Sequence, residues 1–262
     1  MELFQNETAQ ALALLSTRLA GLFTVAPVFS SRAVSIPVRT AALLLFCFLL
    51  LPGALAVAGG AGTIRVSPAT LVSEAILGIV LGLGAALFVA AAESAGDMLA
   101  VQMGLSGANV LDPSSGTQMP VIGQFLGLFV VAMILGTGGH LILIQTLGLS
   151  LEAFPLGASM NLEEGIPAAV GMLGTQFVLG LRFAAPVVAA MMIGNATLGV
   201  LAKTVPQLNV LMIAFPVQIA IGLFTLGLSL PLIAGFFGQW PDHYTDLASG
   251  VLENFVLPEG GS

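Results

Sequence analysis

Five long stretches of this chain contain no Asp, Glu, Lys or Arg, and they limit its possible folds more than any other feature. The stretches are 40–64, 75–92, 113–151, 183–202 and 204–241. A helix needs about 20 apolar residues, at about 1.5 Å each, to cross the hydrocarbon core of a bilayer. The two longest stretches, 113–151 and 204–241, also contain polar loop sequence, so each of these two predicts one membrane helix rather than two.

The composition supports this interpretation and excludes other classes of protein. Only 7% of the 262 residues are charged and 57% are apolar, whereas an average soluble domain is about 25% charged. Too little polar surface remains to cover a core in water. Hydrophobicity excludes a disordered chain, and six basic residues against thirteen acidic ones argue against binding to nucleic acid. We therefore predict an all-α, polytopic membrane protein.

We predict a single integral membrane domain over 1–262 with about six long hydrophobic helices. The fifth helix would be too long for one straight span, and it contains Pro186, which removes a backbone hydrogen bond inside the helix. A kink or break is expected there. The predicted helices cover residues 9–29, 40–58, 69–105, 121–147, 167–201 and 208–237.

Several charged residues fall at predicted membrane depth. Arg18, Glu74 and Arg182 lie within predicted helices, and Glu93 and Asp97 lie towards the end of the third. An ion at the bilayer centre costs about 2.5–3.5 kcal/mol on insertion scales, so these side chains should face protein or water. Two roles are open for them: an ion or proton pathway, and a buried ion pair or subunit contact. We favour the second. Glu93 and Asp97 share a helical face and could together receive Arg182.

Glycine is abundant, with 32 residues in the chain. Two pairs, Gly78 with Gly82 and Gly123 with Gly127, have the spacing that lets membrane helices approach closely. The excess of glycine predicts dense helix packing, either within the chain or with partner subunits.

The segment 102–120 is rich in Gly, Ser and Pro but carries a single charge, Asp112. Irregular backbone is tolerated at membrane depth only where it is buried in protein or lines an aqueous cavity. Two interpretations remain open from the residues alone: a re-entrant or pore-blocking loop, and a short uncharged surface loop.

We predict no catalytic residues, no metal and no cofactor. Residues 104–107 match the GxSG motif of intramembrane serine proteases, but such a short match is weak in a glycine-rich chain. His140 and His243 are the only histidines and are far apart in sequence, and there is one cysteine, so no metal-ligand spacing is present. No nucleotide-binding loop is present either. The chain is therefore not expected to be an enzyme.

Short motifs occur in order along nearly the whole chain, and their number and spacing are more specific than any one of them. They are Arg18, 26–29, 31–33, 36–39, 95–97, 102–106, 112–113, 119–121, 139–141, 198–199, 206–210, 215–217 and 222–223. The chain thereby resembles the FliR family, the R components of the flagellar type III export gate, whose injectisome counterparts are the T components.

The resemblance implies an all-α subunit packed within a helical hetero-oligomeric export gate in the bacterial inner membrane, at the flagellar basal body. The implied partners are the P and Q components, together with the B and A components, and the implied substrates are unfolded flagellar proteins. The alternatives are an injectisome export subunit and, outside this class, a stand-alone secondary transporter or channel.

The resemblance also implies that residues 102–120, called here the plug segment, help to close the channel at rest. The residues predicted to act there are Met103, Gly104, Leu105, Ser106, Val110, Leu111, Asp112, Pro113, Met119 and Pro120. Further residues are predicted to be buried polar groups or assembly contacts: Arg18, Arg32, Arg39, Glu93, Asp97, Arg182, Asn195, Lys203, Pro206, Gln207 and Asn209.

Overall fold

The computed structural model of the protein describes residues 2–30, 34–61, 64–105, 121–204 and 210–255. Within these ranges every regular element is a helix, so the predicted all-α architecture is confirmed. The helices are α1 Glu2–Val25, α2 Pro27–Ser30, α3 Ile36–Ala61, α4 Pro68–Gln102, α5 Val121–Gly136, α6 Gly139–Ala153, α7 Leu162–Thr204, α8 Val210–Gly238 and α9 Trp240–Phe255.

Five of these helices are long and apolar enough to cross a membrane: α1, α3, α4, α7 and α8. A sixth crossing is possible if α5 and α6, which are bent by 69°, form one broken span. The prediction of a polytopic membrane protein is therefore confirmed. The predicted fourth helix, 121–147, is two helices, because Gly138 between them has a φ of +78°, which ends a regular helix.

The longest helix, α7, has 43 residues and is helical through Pro186, so no break occurs at that residue. The kink expected there stays a prediction. At about 1.5 Å per residue α7 is about 64 Å long, about twice the 30 Å hydrocarbon core. Usual tilts of up to about 40° do not absorb this difference. A single straight span of this length would extend beyond the hydrocarbon core.

The chain divides into two compact units, and the single integral membrane domain expected over 1–262 stays a prediction. Unit 1 consists of Met1–Leu87, Ile134–Gly174 and Trp240–Ser262, and unit 2 of Phe88–Met133 and Thr175–Gln239.

In unit 1, α1 and α4 pack with their backbones in contact, and glycine makes this possible. A Cβ added to Gly21 would lie 2.6 Å from the carbonyl oxygen of Ala75, and one on Gly82 would lie 2.9 Å from that of Leu22. A Cβ on Gly78 would overlap the carbonyl oxygen of Arg18. The close approach predicted from the Gly78 and Gly82 spacing is confirmed, and it occurs within the chain.

The predicted helices end at residue 237, so α9, the last helix of unit 1, differs from the prediction. Its buried residues recur every three or four positions, from Trp240 through Tyr244 and Ala248 to Phe255. This is the spacing of an amphipathic helix that packs along one side. Trp240 Nε1 donates a hydrogen bond of 2.9 Å to Thr137 Oγ1, next to the bend between α5 and α6.

Tyr244 offers a test of how α9 is seated. Its hydroxyl donates a 3.0 Å hydrogen bond to the carbonyl oxygen of Leu81, and burial raises the pKa of Tyr244. Tyr244→Phe should cost about 1 kcal/mol of stability at neutral pH. Because the pKa of Tyr244 is higher in the folded protein than in the unfolded chain, the unfolded chain ionises first as pH rises. The wild type should therefore lose stability above about pH 10, the pKa of tyrosine in an unfolded chain. The variant should lack that loss.

Absorbance near 295 nm can follow this ionisation without interference from other tyrosines, because Tyr244 is the only tyrosine in the chain. A phenol that titrates at its ordinary pKa in the folded protein would contradict the buried hydrogen bond.

Unit 2 is held together by phenylalanines and by close glycine contacts. The ring centroid of Phe183 in α7 lies 5.2 Å from that of Phe236 and 5.4 Å from that of Phe237 in α8. In the same unit, a Cβ on Gly96 of α4 would lie 2.5 Å from the Cα of Gly123 in α5. The second predicted glycine pair thus also lies at a close approach between helices.

Candidate functional site

A buried ion pair joins α1 to α4 in unit 1. Arg18 Nε lies 2.5 Å from Glu74 Oε2, and the two side chains are 0% and 1% exposed. A buried charge is costly unless it is paired and fully hydrogen-bonded. The other groups around the pair therefore matter as much as the pair itself.

The remaining nitrogens of Arg18 bind the carboxyl-terminal end of α6. Nη1 donates to the carbonyl oxygen of Ser150 at 3.0 Å and to its Oγ at 3.2 Å, while Nη2 donates to the carbonyl oxygen of Phe154 at 2.9 Å. The guanidinium also lies 5.9 Å from the ring centroid of Phe154. The Ser150 carbonyl oxygen also accepts a 2.9 Å hydrogen bond from the N–H of Phe154. The carboxyl-terminal end of a helix attracts positive charge, so Arg18 stabilises this helix end.

Glu74 completes the network with its second oxygen. Glu74 Oε1 accepts a 3.0 Å hydrogen bond from the backbone N–H of Gly157, in the turn that follows α6. Gly157 has a φ of +79°, a conformation that favours glycine. Arg18 and Glu74 therefore hold α1, α4, α6 and this turn together. For these two residues the structure supports the buried ion pair, and it places Arg18 inside the chain rather than at a subunit contact.

The predicted pairing of Arg182 with Glu93 or Asp97 is wrong. All three residues are described, all are exposed, and no ion pair joins Arg182 to either carboxylate. The carboxylates instead lie over glycines of α5. A Cβ on Gly127 would lie 2.5 Å from Glu93 Oε1, and one on Gly123 would contact Asp97 Oδ1.

The start of the plug segment is described as far as Leu105. The N–H of Gly104 donates to the carbonyl oxygen of Val101, and that of Leu105 to the carbonyl oxygen of Ala100, both at 3.0 Å. With a φ of +74° at Gly104, this is a Schellman motif, which ends a helix. The third helix, predicted over 69–105, therefore ends at Gln102, and Gly104 acts as its cap.

The residues around Gly104 belong to α8, and one of them is hydrogen-bonded to α7. A Cβ on Gly104 would lie 3.0 Å from the ring of Phe215 and 3.2 Å from Gln218 Oε1. Gln218 Nε2 in turn donates a 2.8 Å hydrogen bond to Oδ1 of Asn195, one of the predicted polar residues. Asn195 is thus paired within unit 2.

The other described candidates lie apart from these two clusters. Arg39 is half-buried in the first turn of α3, and Lys203 is exposed in the last turn of α7. The remaining candidates lie outside the described residues, and their roles stay predictions: Arg32, Ser106, Val110, Leu111, Asp112, Pro113, Met119, Pro120, Pro206, Gln207 and Asn209.

Ser150, Phe154 and Gly157, the partners of the ion pair, were not predicted from the sequence. Two of them contribute mainly backbone groups, which no residue type reveals. Gln218 was also missed, although an amide in an apolar helix is a signal for a polar partner. Across the described ranges, no three His, Cys, Asp or Glu side chains come together in the manner of a metal site.

The fold is that of a multi-pass α-helical membrane protein, and within unit 1 a buried polar network joins three of its helices, α1, α4 and α6. The family model described as "Bacterial export proteins, family 1" matches residues 9–243. The chain therefore belongs to this family of bacterial export proteins.

Relatives in several bacteria share most of its length. The chain is 31% identical over 239 residues to the flagellar biosynthetic protein FliR of Pectobacterium carotovorum subsp. carotovorum, which covers 90% of both chains. It is 29% identical over 241 residues to FliR of Escherichia coli strain K12, with 92% of both covered. It is also 34% identical over 166 residues to FliR of Bacillus subtilis strain 168, with 61% of this chain and 63% of the relative covered.

Proposed function

We propose that this chain is a subunit of the flagellar type III protein export apparatus and forms part of the gate through which unfolded flagellar proteins leave the cell. The observation that carries the proposal is the family match over residues 9–243. Relatives named flagellar biosynthetic protein FliR align over 90% or more of both chains. Five or six candidate spans agree with a place in the bacterial inner membrane, at the base of the flagellum.

The exposed surface supports an assembly with other subunits. Only 17% of the α3 span and 22% of the α8 span are buried within the chain, and both are apolar. Lipid could cover these two, but α7 is also mostly exposed and, at 43 residues, is about twice as long as one straight span of the hydrocarbon core needs. Apolar surface outside lipid needs protein against it. We propose the P and Q components of the export gate as these neighbours, together with the B and A components.

Exposed charges on candidate spans argue in the same direction. Glu93, Asp97 and Arg182 are exposed on α4 and α7, where lipid would penalise each ion by about 2.5–3.5 kcal/mol. Neighbouring subunits or an aqueous path remove that cost. A route for unfolded chains through the middle of such an assembly supplies the water, and the plug segment closes that route at rest.

Deleting the gene tests the proposed function. The deletion strain should be non-motile and should release no hook or filament protein into the medium, and the intact gene supplied on a plasmid should restore both. Swimming in soft agar and immunoblots of the culture supernatant measure the two effects. A strain that keeps its flagella but stops secreting virulence proteins would instead support the injectisome alternative, and normal secretion of both would contradict the proposal.

A further inference from the structure

The structure assigns a fixed anchor at the end of α4 that positions the plug segment and stays seated while export takes place. This inference rests on the plug role proposed above. The anchor consists of Met103, Gly104, Asn195, Phe215, Gln218 and Gly222, all of which lie in unit 2.

The anchor first ends the helix. The two hydrogen bonds of the Schellman motif, together with the positive φ of Gly104, turn the backbone away from the axis of α4. A residue with a Cβ adopts this conformation only with strain. Gly104 therefore sets the direction in which the chain leaves α4.

Met103 then fastens this turn to α8. Its side chain is 0% exposed, and a Cβ on Gly222 would lie 2.5 Å from both Cγ and Cε of Met103. The methionine thus fills a notch that exists only because residue 222 has no side chain. Unseating Met103 would expose a fully buried side chain and leave a cavity at the glycine.

The last layer of the anchor links it to α7. Gly104 rests on the ring of Phe215 and on Gln218 Oε1, and the amide of Gln218 donates to Asn195. A hydrogen bond between side chains of two apolar helices fixes their register. Three successive contacts therefore hold the position from which the plug segment starts, while Leu105 is 38% exposed at the edge of the unit.

A disulfide between positions 103 and 222 tests whether the anchor stays seated. A Cβ on residue 222 would lie 2.5 Å from Met103 Cγ, so Met103→Cys and Gly222→Cys would place two thiols against each other. The pair also suits the available space, because the smaller side chain at 103 leaves room for the added one at 222. Cys47→Ala removes the only native cysteine.

Cells carrying this variant should export hook protein at the same rate, within about twofold, before oxidation and after it. Mass spectrometry of the purified chain confirms the bond, and each single cysteine serves as a control. Export that stops on oxidation and returns on reduction would overturn the proposal, because the anchor would then have to open. Thiols that stay unbonded under oxidant would also overturn it, because Met103 would not be seated against residue 222.

Gly104→Ala tests whether the anchor positions the plug segment. The strained φ and the contact with Phe215 should displace the turn, so the complex assembled with the P and Q components should leak ions several-fold more than the wild type. Conductance in planar bilayers measures the leak, and the amount of complex recovered reports assembly. Gly250→Ala on α9, a helix outside the candidate spans where the added Cβ meets nothing within 4 Å, is the matched control and should conduct like the wild type.

Two further variants keep the result decisive. Deleting 107–116 should leak at least as strongly as Gly104→Ala, whereas Gln218→Leu, which leaves the backbone turn intact, should leak less. If the deletion complex leaks but the Gly104→Ala and Gln218→Leu complexes do not, the anchor is overturned while the plug role is still supported. A deletion that does not leak would refute the plug role, and the disulfide would then report only whether Met103 stays seated.

Discussion

Glu74→Ala should lower the free energy of unfolding by about 3–5 kcal/mol, because it leaves the guanidinium of Arg18 buried without its counter-ion. Arg18 is 0% exposed, so water cannot replace the lost carboxylate without opening the packing between α1 and α4. The same change also leaves the N–H of Gly157 without its acceptor. Pulse labelling of Cys47, the single and buried thiol, with a fluorogenic maleimide across an SDS series measures the loss.

The double variant Arg18→Met with Glu74→Leu distinguishes a paired role from two separate ones. Replacing both ions by apolar side chains removes the unpaired charge, so the double variant should be less destabilised than Glu74→Ala alone. If the double variant loses as much free energy of unfolding as the two single variants Arg18→Met and Glu74→Leu lose together, the residues are not coupled. Glu163→Ala, an exposed carboxylate in the first turn of α7, is the control and should change stability by less than about 0.5 kcal/mol.

The helical class and the membrane spans could be predicted from sequence because both follow from local properties. Charge-free stretches report burial in lipid whatever packs beside them, and α3 and α8 correspond to such stretches. The split between α5 and α6 was missed, although Gly136, Gly138 and Gly139 cluster there, because glycine is common in membrane helices and rarely breaks them. The apolar periodicity of α9 is also present in the sequence, although no helix was predicted there.

The partners of the charged residues could not be predicted in the same way. Arg18 and Glu74 lie 56 positions apart, and no periodicity within one helix shows which face of another helix it will meet. The pairing proposed for Arg182 failed for this reason. The i, i+4 spacing correctly places Glu93 and Asp97 on one face of α4, but Gly123 and Gly127 of α5 occupy that face. The close approach of two helices decided the contact, not the attraction between charges.

Replacing glycine by alanine should have opposite effects on stability at two positions of unit 1. Gly78→Ala should destabilise the protein by about 3 kcal/mol, at the upper end of the usual cost of overpacking, because the new Cβ overlaps the carbonyl oxygen of Arg18 and neither backbone can yield. Gly148→Ala in α6 meets nothing within 4 Å, so the higher helix propensity of alanine should leave stability unchanged or raise it by up to about 1 kcal/mol.

The two glycine variants also report on the ion pair, because Arg18 is the residue whose backbone Gly78 contacts. The Cβ of alanine at position 78 pushes α1 away from α4 and so increases the distance between Arg18 and Glu74. The coupling energy between these residues, measured by a double-mutant cycle, should therefore be smaller in the Gly78→Ala background. It should persist in the Gly148→Ala background. Equal coupling in both would mean that the ion pair forms without the close approach of the helices, and the glycine at 78 would then serve packing alone.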